Sequence, residues 1–355
     1  MPHRLDPRAS DSRYSHKPID DFSANSFQHR RRHIMLCPAM RIGRQRMARL
    51  TLYGRITALL ALLISAPSSG LTETKLTADD AEAFDQFGYA VSVHGSTALV
   101  GARFDTHAGV RSGSAYIFQR NAGGTGGWQQ IAKLIADDAA DLDWFGVSVS
   151  VDGDTAIVGA FLDDGAGNSS GSAYVFHRNA GGTDNWGQVK KLTADDAVAD
   201  DRFGVSVGVH GEIIVVGTNG DDDDGSESGS AYVFRRNAGG TANWGQVKKL
   251  TADDAIANGA FGGSVSVHGN TVIVGAAGDN HAGNLSGSAY IFSRNAGGAD
   301  NWGQVKKLTA DDASENDQFG TVSVHGDTAI VSARFDSDAG TQSGSAYIFS
   351  RNAGG

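Results

Sequence analysis

The chain has 355 residues, with 30 Lys and Arg against 40 Asp and Glu, and its 48 glycines point to a turn-rich all-β protein. Residues 1–70 hold 12 basic and 4 acidic side chains, which leaves 18 and 36 for residues 71–355, a net of −18. A region this acidic repels phosphate backbones, so nucleic acid is excluded as its partner, while cations and basic surfaces fit it.

Residues 1–46 are Arg- and His-rich, carry the run Arg30-Arg31-Arg32-His33 and show no periodicity, so they read as a non-native or disordered basic extension. Met40 or Met47 then reads as the native start. From Met47 a basic stretch leads into the apolar segment Ile56–Ile64 and the small residues Ser65 to Gly70. That order describes a secretory signal peptide over residues 47–70, processed between Ala66 and Leu71. The apolar run is too short to span a bilayer, so no transmembrane segment is expected. The single cysteine, Cys37, lies in this leading part, which leaves residues 71–355 without disulfide or thiol chemistry. The expected location is secreted, extracellular or cell-surface, with the periplasm as the other compartment.

From residue 71 onward the text repeats every 58 residues. Lys-Leu-Thr-Ala-Asp-Asp begins at Lys75, Lys191, Lys249 and Lys307, with a near copy at Lys133, and Phe-Gly recurs at Phe87, Phe145, Phe203, Phe261 and Phe319. Such a period marks units that bury apolar surface only against their neighbours. Each unit reads as four short strands, A to D. In the second copy these are Gly146 to Val151, Asp154 to Ala160, Ser170 to Phe176 and Trp186 to Leu192, with Asp152-Gly153 as a two-residue hairpin between A and B. Segments such as Ala173 to Phe176 are apolar on both faces and need cover on both. A β-propeller of four-stranded blades supplies it, with the paired lysines of strand D guarding an outer edge. A β-helix fits less well, because its rungs are shorter than 58 residues. Five A-B-C units and four internal D strands give five blades, with Leu71 to Thr77 placed to complete the last one. Glu73 weakens that strand, because the other copies have Ile131, Val189, Val247 or Val305 there. In the fifth copy strand A is one residue shorter, and the change is expected next to Gly320 with the downstream register kept.

Phe145-Gly146 followed by Val158-Gly159-Ala160 resembles the FG-GAP repeat of integrin α-subunit propellers and of bacterial extracellular proteins, and Ser-Gly-Ser-Ala-Tyr-Val-Phe resembles the bacterial variety. The resemblance covers residues 71–355. It implies a secreted or surface propeller, often of adhesive or unknown role. The integrin calcium loop does not carry over, since its place holds only the tight turn.

Strand directions put the D–A and B–C loops on one rim, and these loops hold 29 of the 36 acidic residues beyond residue 70. The plain reading is a solvated face whose Asp side chains cap turns. The sharper reading is a cation-binding rim, because hard cations want several carboxylates on flexible loops. Its candidate metal ligands are Asp221, Asp222, Asp223, Asp224, Asp163, Asp164 and Asp279, and calcium is the fitting ion. Catalytic residues are not expected. Gly167-x-Ser169-x-Gly171 occurs once and lacks the strand-turn-helix setting of a nucleophile. His94, His210, His268 and His325 recur in a hairpin where Asp152 substitutes, which gives them a turn role. Trp128, Trp186, Trp244 and Trp302 read as blade packing, and Trp144 as an exposed aromatic on the acidic rim. The expected function is a non-enzymatic binding or adhesion module that meets a protein or glycan ligand through the acidic rim, with cation assistance under the sharper reading. The alternatives are a glycan-active or glycan-binding propeller, or a structural surface protein.

Overall fold

The computed structural model of the protein describes residues 73–121 and 127–351. The expectations for residues 1–70, Cys37 and the signal peptide among them, lie outside the described residues. All regular structure in the described part is strand. The first sheet is β1 (Phe87–His94), β2 (Thr97–Ala102), β3 (Ser114–Arg120) and β4 (Trp128–Leu134). The second is β5 (Ser148–Asp152), β6 (Thr155–Ala160), β7 (Ser172–His177) and β8 (Gly187–Leu192). The third is β9 (Ser206–His210), β10 (Ile213–Thr218), β11 (Ser230–Arg235) and β12 (Gly245–Leu250). The fourth is β13 (Phe261–His268), β14 (Thr271–Ala276), β15 (Ser288–Ser293) and β16 (Gly303–Leu308). The fifth has three strands, β17 (Phe319–His325), β18 (Thr328–Ala333) and β19 (Ser345–Ser350). Each sheet is an antiparallel meander in chain order, one blade per repeat.

Blades bury their faces on each other. All six residues of β6, β10 and β14 are buried, as expected for strands apolar on both sides. Leu99 and Ile117 of the first blade pack with Phe145, Val151 and Phe176 of the second, and the later interfaces repeat the arrangement. Glycine sets how close the blades come. A Cβ at Gly217 would lie 1.9 Å from the carbonyl oxygen of Gly262 on the next blade. The glycine near the end of each such strand B (Gly101, Gly159, Gly217 and Gly275) therefore faces the glycine of the following Phe-Gly, and only a side chain of no size fits.

The hairpin differs from its expected form. The two loop residues are Gly153-Asp154 and their counterparts, one position further on, and only the glycine has positive φ (57° at Gly153). A first-position glycine is the type II′ arrangement. His94, Asp152, His210, His268 and His325 thus end strand A instead of occupying the turn.

The fifth repeat keeps its register. The fourth blade pairs Phe261 with Ala276 and then Ser264 with Gly275, while the fifth pairs Phe319 with Ala333 and then Thr321 with Ser332. One bulge residue is lost beside Gly320, and Val324 stays buried like Val267. The closing strand, by contrast, is absent: residues 73–78 form no strand and the fifth sheet has three. Leu76 and Ala78 instead pack over Val100, Tyr116 and Phe118 of the first blade, the place that Leu134 and Ala136 take over the second. The apolar residues of this segment find a face to cover, and Glu73 supplies no apolar contact to an edge.

Candidate functional site

Each B–C loop lies against the D–A loop entering the next blade. Leu142 N donates to Val110 O at 2.8 Å, Asp200 N to Asn168 O at 2.8 Å and Asn258 N to Ser226 O at 2.7 Å. The two loop sets form one rim, as their strand directions require.

The rim's acids are mostly engaged. The first Asp of every B–C loop (Asp105, Asp163, Asp221, Asp279 and Asp336) is buried. Each accepts the hydroxyl of its own blade's tyrosine: Tyr116, Tyr174, Tyr232, Tyr290 and Tyr347, at 2.5 to 3.1 Å. In the first four blades a strand-D lysine completes the group. Lys133, Lys191, Lys249 and Lys307 reach these carboxylates at 2.8 to 3.0 Å, and also reach Asp80, Asp138, Asp196 and Asp254 of the D–A loops at 2.6 to 2.8 Å. One lysine of each Lys-Lys pair is thus turned inward rather than guarding an edge.

The electrostatics follow. Burial alone would raise Asp163, but hydrogen bonds from Ser172, Lys191 and Tyr174 outweigh it and hold its carboxyl below the usual range. Burial and the carboxylates push Tyr174 and Tyr232 well above the ordinary phenol value, so both remain donors. Burial would lower Lys249, yet Asp196, Asp221 and Asp223 raise it. These groups keep fixed charges near neutrality, which suits a structural ion network and not proton transfer.

The nominated metal ligands separate into three kinds. Carboxylate oxygens of Asp196, Asp221 and Asp223 lie within 4.8 Å of one another, a spacing that suits a cation, and Lys249 Nζ contacts all three. Asp163 and Asp279 are held likewise by Lys191 and Lys307. Asp164 and Asp222 accept the backbone N–H five residues on, from Ser169 at 2.7 Å and Glu227 at 2.6 Å, a task that Asn280 and Ser337 perform elsewhere. Asp224 is exposed. A third set, Asp85, Asp143, Asp201 and Asp317, closes the turn before Phe-Gly by accepting the N–H three residues back at 2.6 to 2.7 Å. Burial, above all, pushes Asp143 and Asp201 up to about 6.

The strand-A ends form a ladder between blades. His94 Nδ1, Asp152, His210 Nδ1 and His268 Nδ1 each accept the N–H of the next blade's turn glycine, at 2.6 to 3.2 Å. In place of the expected turn role, these strand-end residues form a joint between blades. Trp186, Trp244 and Trp302 are buried as expected. Trp144 is only half-exposed, because Phe104 and Phe161 meet it edge-on at 5.0 and 5.5 Å. The Tyr-Lys-Asp network escaped the sequence reading, although its three residue types recur with the 58-residue period.

A line of four-stranded antiparallel blades with one loop rim defines a repeat-built blade scaffold of propeller type. The FG-GAP repeat model matches residues 71–118, 128–176, 186–234, 244–292 and 302–349, well over half of the chain. The chain belongs to the FG-GAP repeat family, whose repeats typically make up binding or adhesion modules of extracellular or surface proteins. No curated protein matches it. Among solved structures, the crystal structure of the computationally designed Ika4 protein is similar at 10% identity and a TM-score of 0.33, covering 57% of this chain and 89% of that one. So loose a likeness carries no argument. Among the described residues no helix is long and apolar enough to cross a membrane.

Proposed function

We propose that this chain is a secreted or cell-surface binding or adhesion module, non-enzymatic, that engages a protein or glycan through its acidic loop rim. One observation carries the reading: residues with a structural task recur from blade to blade, whereas the exposed loop text changes. Thr106-His107-Ala108, Asp222-Asp223-Asp224 and Asn280-His281-Ala282 occupy equivalent positions. An interchangeable frame with individual loop tips is how a scaffold varies a binding surface. Binding of the full chain to protein and glycan arrays, with Asp222→Asn and Asp224→Asn as rim variants, tests it. Retention of nothing on either array would overturn the reading.

Cation assistance is a second reading, supported by the carboxylate spacing of Asp196, Asp221 and Asp223. Calcium would have to displace Lys249 from them. Binding to the folded state alone stabilises by about 2.7 kcal/mol at a hundredfold excess over Kd. Thermal melts in calcium, magnesium and chelator at matched ionic strength test this. A calcium-specific rise that Asp223→Asn abolishes supports it, and equal melting temperatures end it.

A further inference from the structure

Three positions of each repeat meet on the rim, where the residue before Phe-Gly approaches the two residues that follow strand B. The first, third, fourth and fifth blades share one backbone bond at this junction, from Phe104 N to Asp85 O, Gly220 N to Asp201 O, Gly278 N to Gly259 O and Phe335 N to Asp317 O. Its conformation is shared too. Gln86, Trp144, Arg202, Ala260 and Gln318 all have φ between 52° and 63°. The side chains nonetheless differ. Blades three and four place Asn219-Gly220 and Ala277-Gly278 after strand B, where a Cβ on Gly220 or Gly278 would lie 2.2 or 1.9 Å from a backbone carbonyl oxygen, so these blades close on glycine where the first carries Phe104.

Blades one and two fill the same positions with an aromatic and arginine cluster. Phe104 and Phe161 flank Trp144. The Arg103 guanidinium lies 3.6 Å from the ring centre of exposed Tyr89, 4.6 Å from that of Phe104 and 5.1 Å from that of Trp144. Its Nε donates to Gln86 Oε1 at 2.8 Å, which leaves the terminal nitrogens to a ligand. Arg111 lies 4.9 Å from the centre of Phe104. Among the described residues neither arginine has a carboxylate partner, whereas Arg178, Arg202, Arg235 and Arg294 each do. Arg103 and Arg111, held by stacking, stand against a region of net charge −18; Arg334 of the fifth blade repeats the Arg103 setting, 4.9 Å from the centre of Phe335 and bonded to Gln318, but Gln342 replaces Arg111 there.

We propose that this cluster docks a protein partner that presents a carboxylate side chain flanked by lysine or arginine. The proposal rests on the chain being a binding module. Stacked guanidinium groups are oriented in advance for bidentate capture of a carboxylate. Half-buried aromatic residues beside arginine are the composition of interface hot spots. Exposed Asp79, Asp137 and Asp141 of the neighbouring loops favour basic residues on either side of that carboxylate, and they repel a polyanionic glycan.

Selection of a phage-displayed random peptide library on the immobilised full chain tests this. Enriched peptides should share an Asp or Glu beside Lys or Arg, and synthetic copies should shift the tryptophan fluorescence. Arg103→Asn and Arg111→Ser should each weaken them about tenfold. Both replacements are compatible with the fold, since Asn219 and Ser169 hold those positions in other blades. Enriched peptides without acidic residues, or equal affinity in both variants, would overturn the proposal. Binding of polygalacturonate that is lost in the same variants would assign the cluster to an acidic glycan instead. Peptides that tolerate the arginine variants but not Asp222→Asn or Asp224→Asn refute this proposal alone. A chain that captures nothing refutes the binding module as well.

Discussion

Replacing Asp143 by Asn should stabilise the protein at neutral pH. Asp143 is 4% exposed, and its Oδ2 accepts the Ala140 N–H at 2.7 Å. Burial is the main cause that pushes its carboxyl up from 3.8 to about 6; the Ala140 N–H opposes this and the Asp163 charge adds to it. A shift of about two units corresponds to about 3 kcal/mol of preference for the neutral form. The folded chain holds this proton more tightly than the unfolded chain. Stability therefore falls as pH rises from about 4 to about 6, and the loss is complete above that window. Asparagine keeps an acceptor for Ala140 N–H and removes the charge, so the variant should gain up to about 3 kcal/mol at pH 7, several degrees in Tm. The fourth repeat, with Gly259 at this position, already dispenses with the carboxylate. Thermal melts of both proteins across this pH range provide the assay. The two curves should converge near pH 4 and separate above it. A variant that melts lower at pH 7, or a difference that does not change with pH, would refute the reasoning.

Gly217→Ala should force the third and fourth blades apart and cost more than about 3 kcal/mol, since the obstacle is backbone and no rotamer relieves it. Ser332→Gly, at the equivalent position of the last blade, should cost about 1 kcal/mol or less; urea denaturation of both variants checks the contrast. Asp163→Ala leaves the Tyr174 hydroxyl and part of the Lys191 charge unpaired, and a loss of about 3 kcal/mol in the same assay is expected. Burial, then the charges of His210 and His325, lowers His268, so its share of stability is full above about pH 6.5 and is lost as pH falls below. His268→Asp, which keeps an acceptor for Gly326 N–H, should flatten that acid-side loss in pH-dependent melts.

The strands, the blade count and the rim were legible because they follow from period and alternation, which a linear text displays. The bulge beside Gly320 was legible for the same reason, since a slip would have turned Val322 and Val324 outward. What the text hid was partnership between segments far apart in the chain. Lys191 and Asp138 stand 53 residues apart and bond only because strand D of one blade returns beside the loop entering it. The His94 to Gly153 bond spans 59 residues and depends on the turn type, which changed because the glycine stands first in the loop and not second. The acidic rim misled in one respect: its densest carboxylates looked unneutralised, yet the neutralising lysines sat in a strand that read as an edge.

Near-identical repeats pose a problem for a binding protein, because a partner must meet one surface and not five copies of it. This chain separates the two demands by position. Phe-Gly and the glycine contacts join blades, and the Tyr-Lys-Asp network ties each blade to the loop entering it. The residue before Phe-Gly and the pair after strand B differ from blade to blade, with Arg103-Phe104 in the first and Asn219-Gly220 and Ala277-Gly278 in the third and fourth, where the backbone closes tightly on the glycines. The side chains at those places set the rim while the strands keep their pairing. Arg103, Phe104, Trp144 and Phe161 occupy them on adjoining blades, so a cluster arises between repeats that neither repeat could build alone. An asymmetric surface thereby emerges from a symmetric frame at small cost in stability.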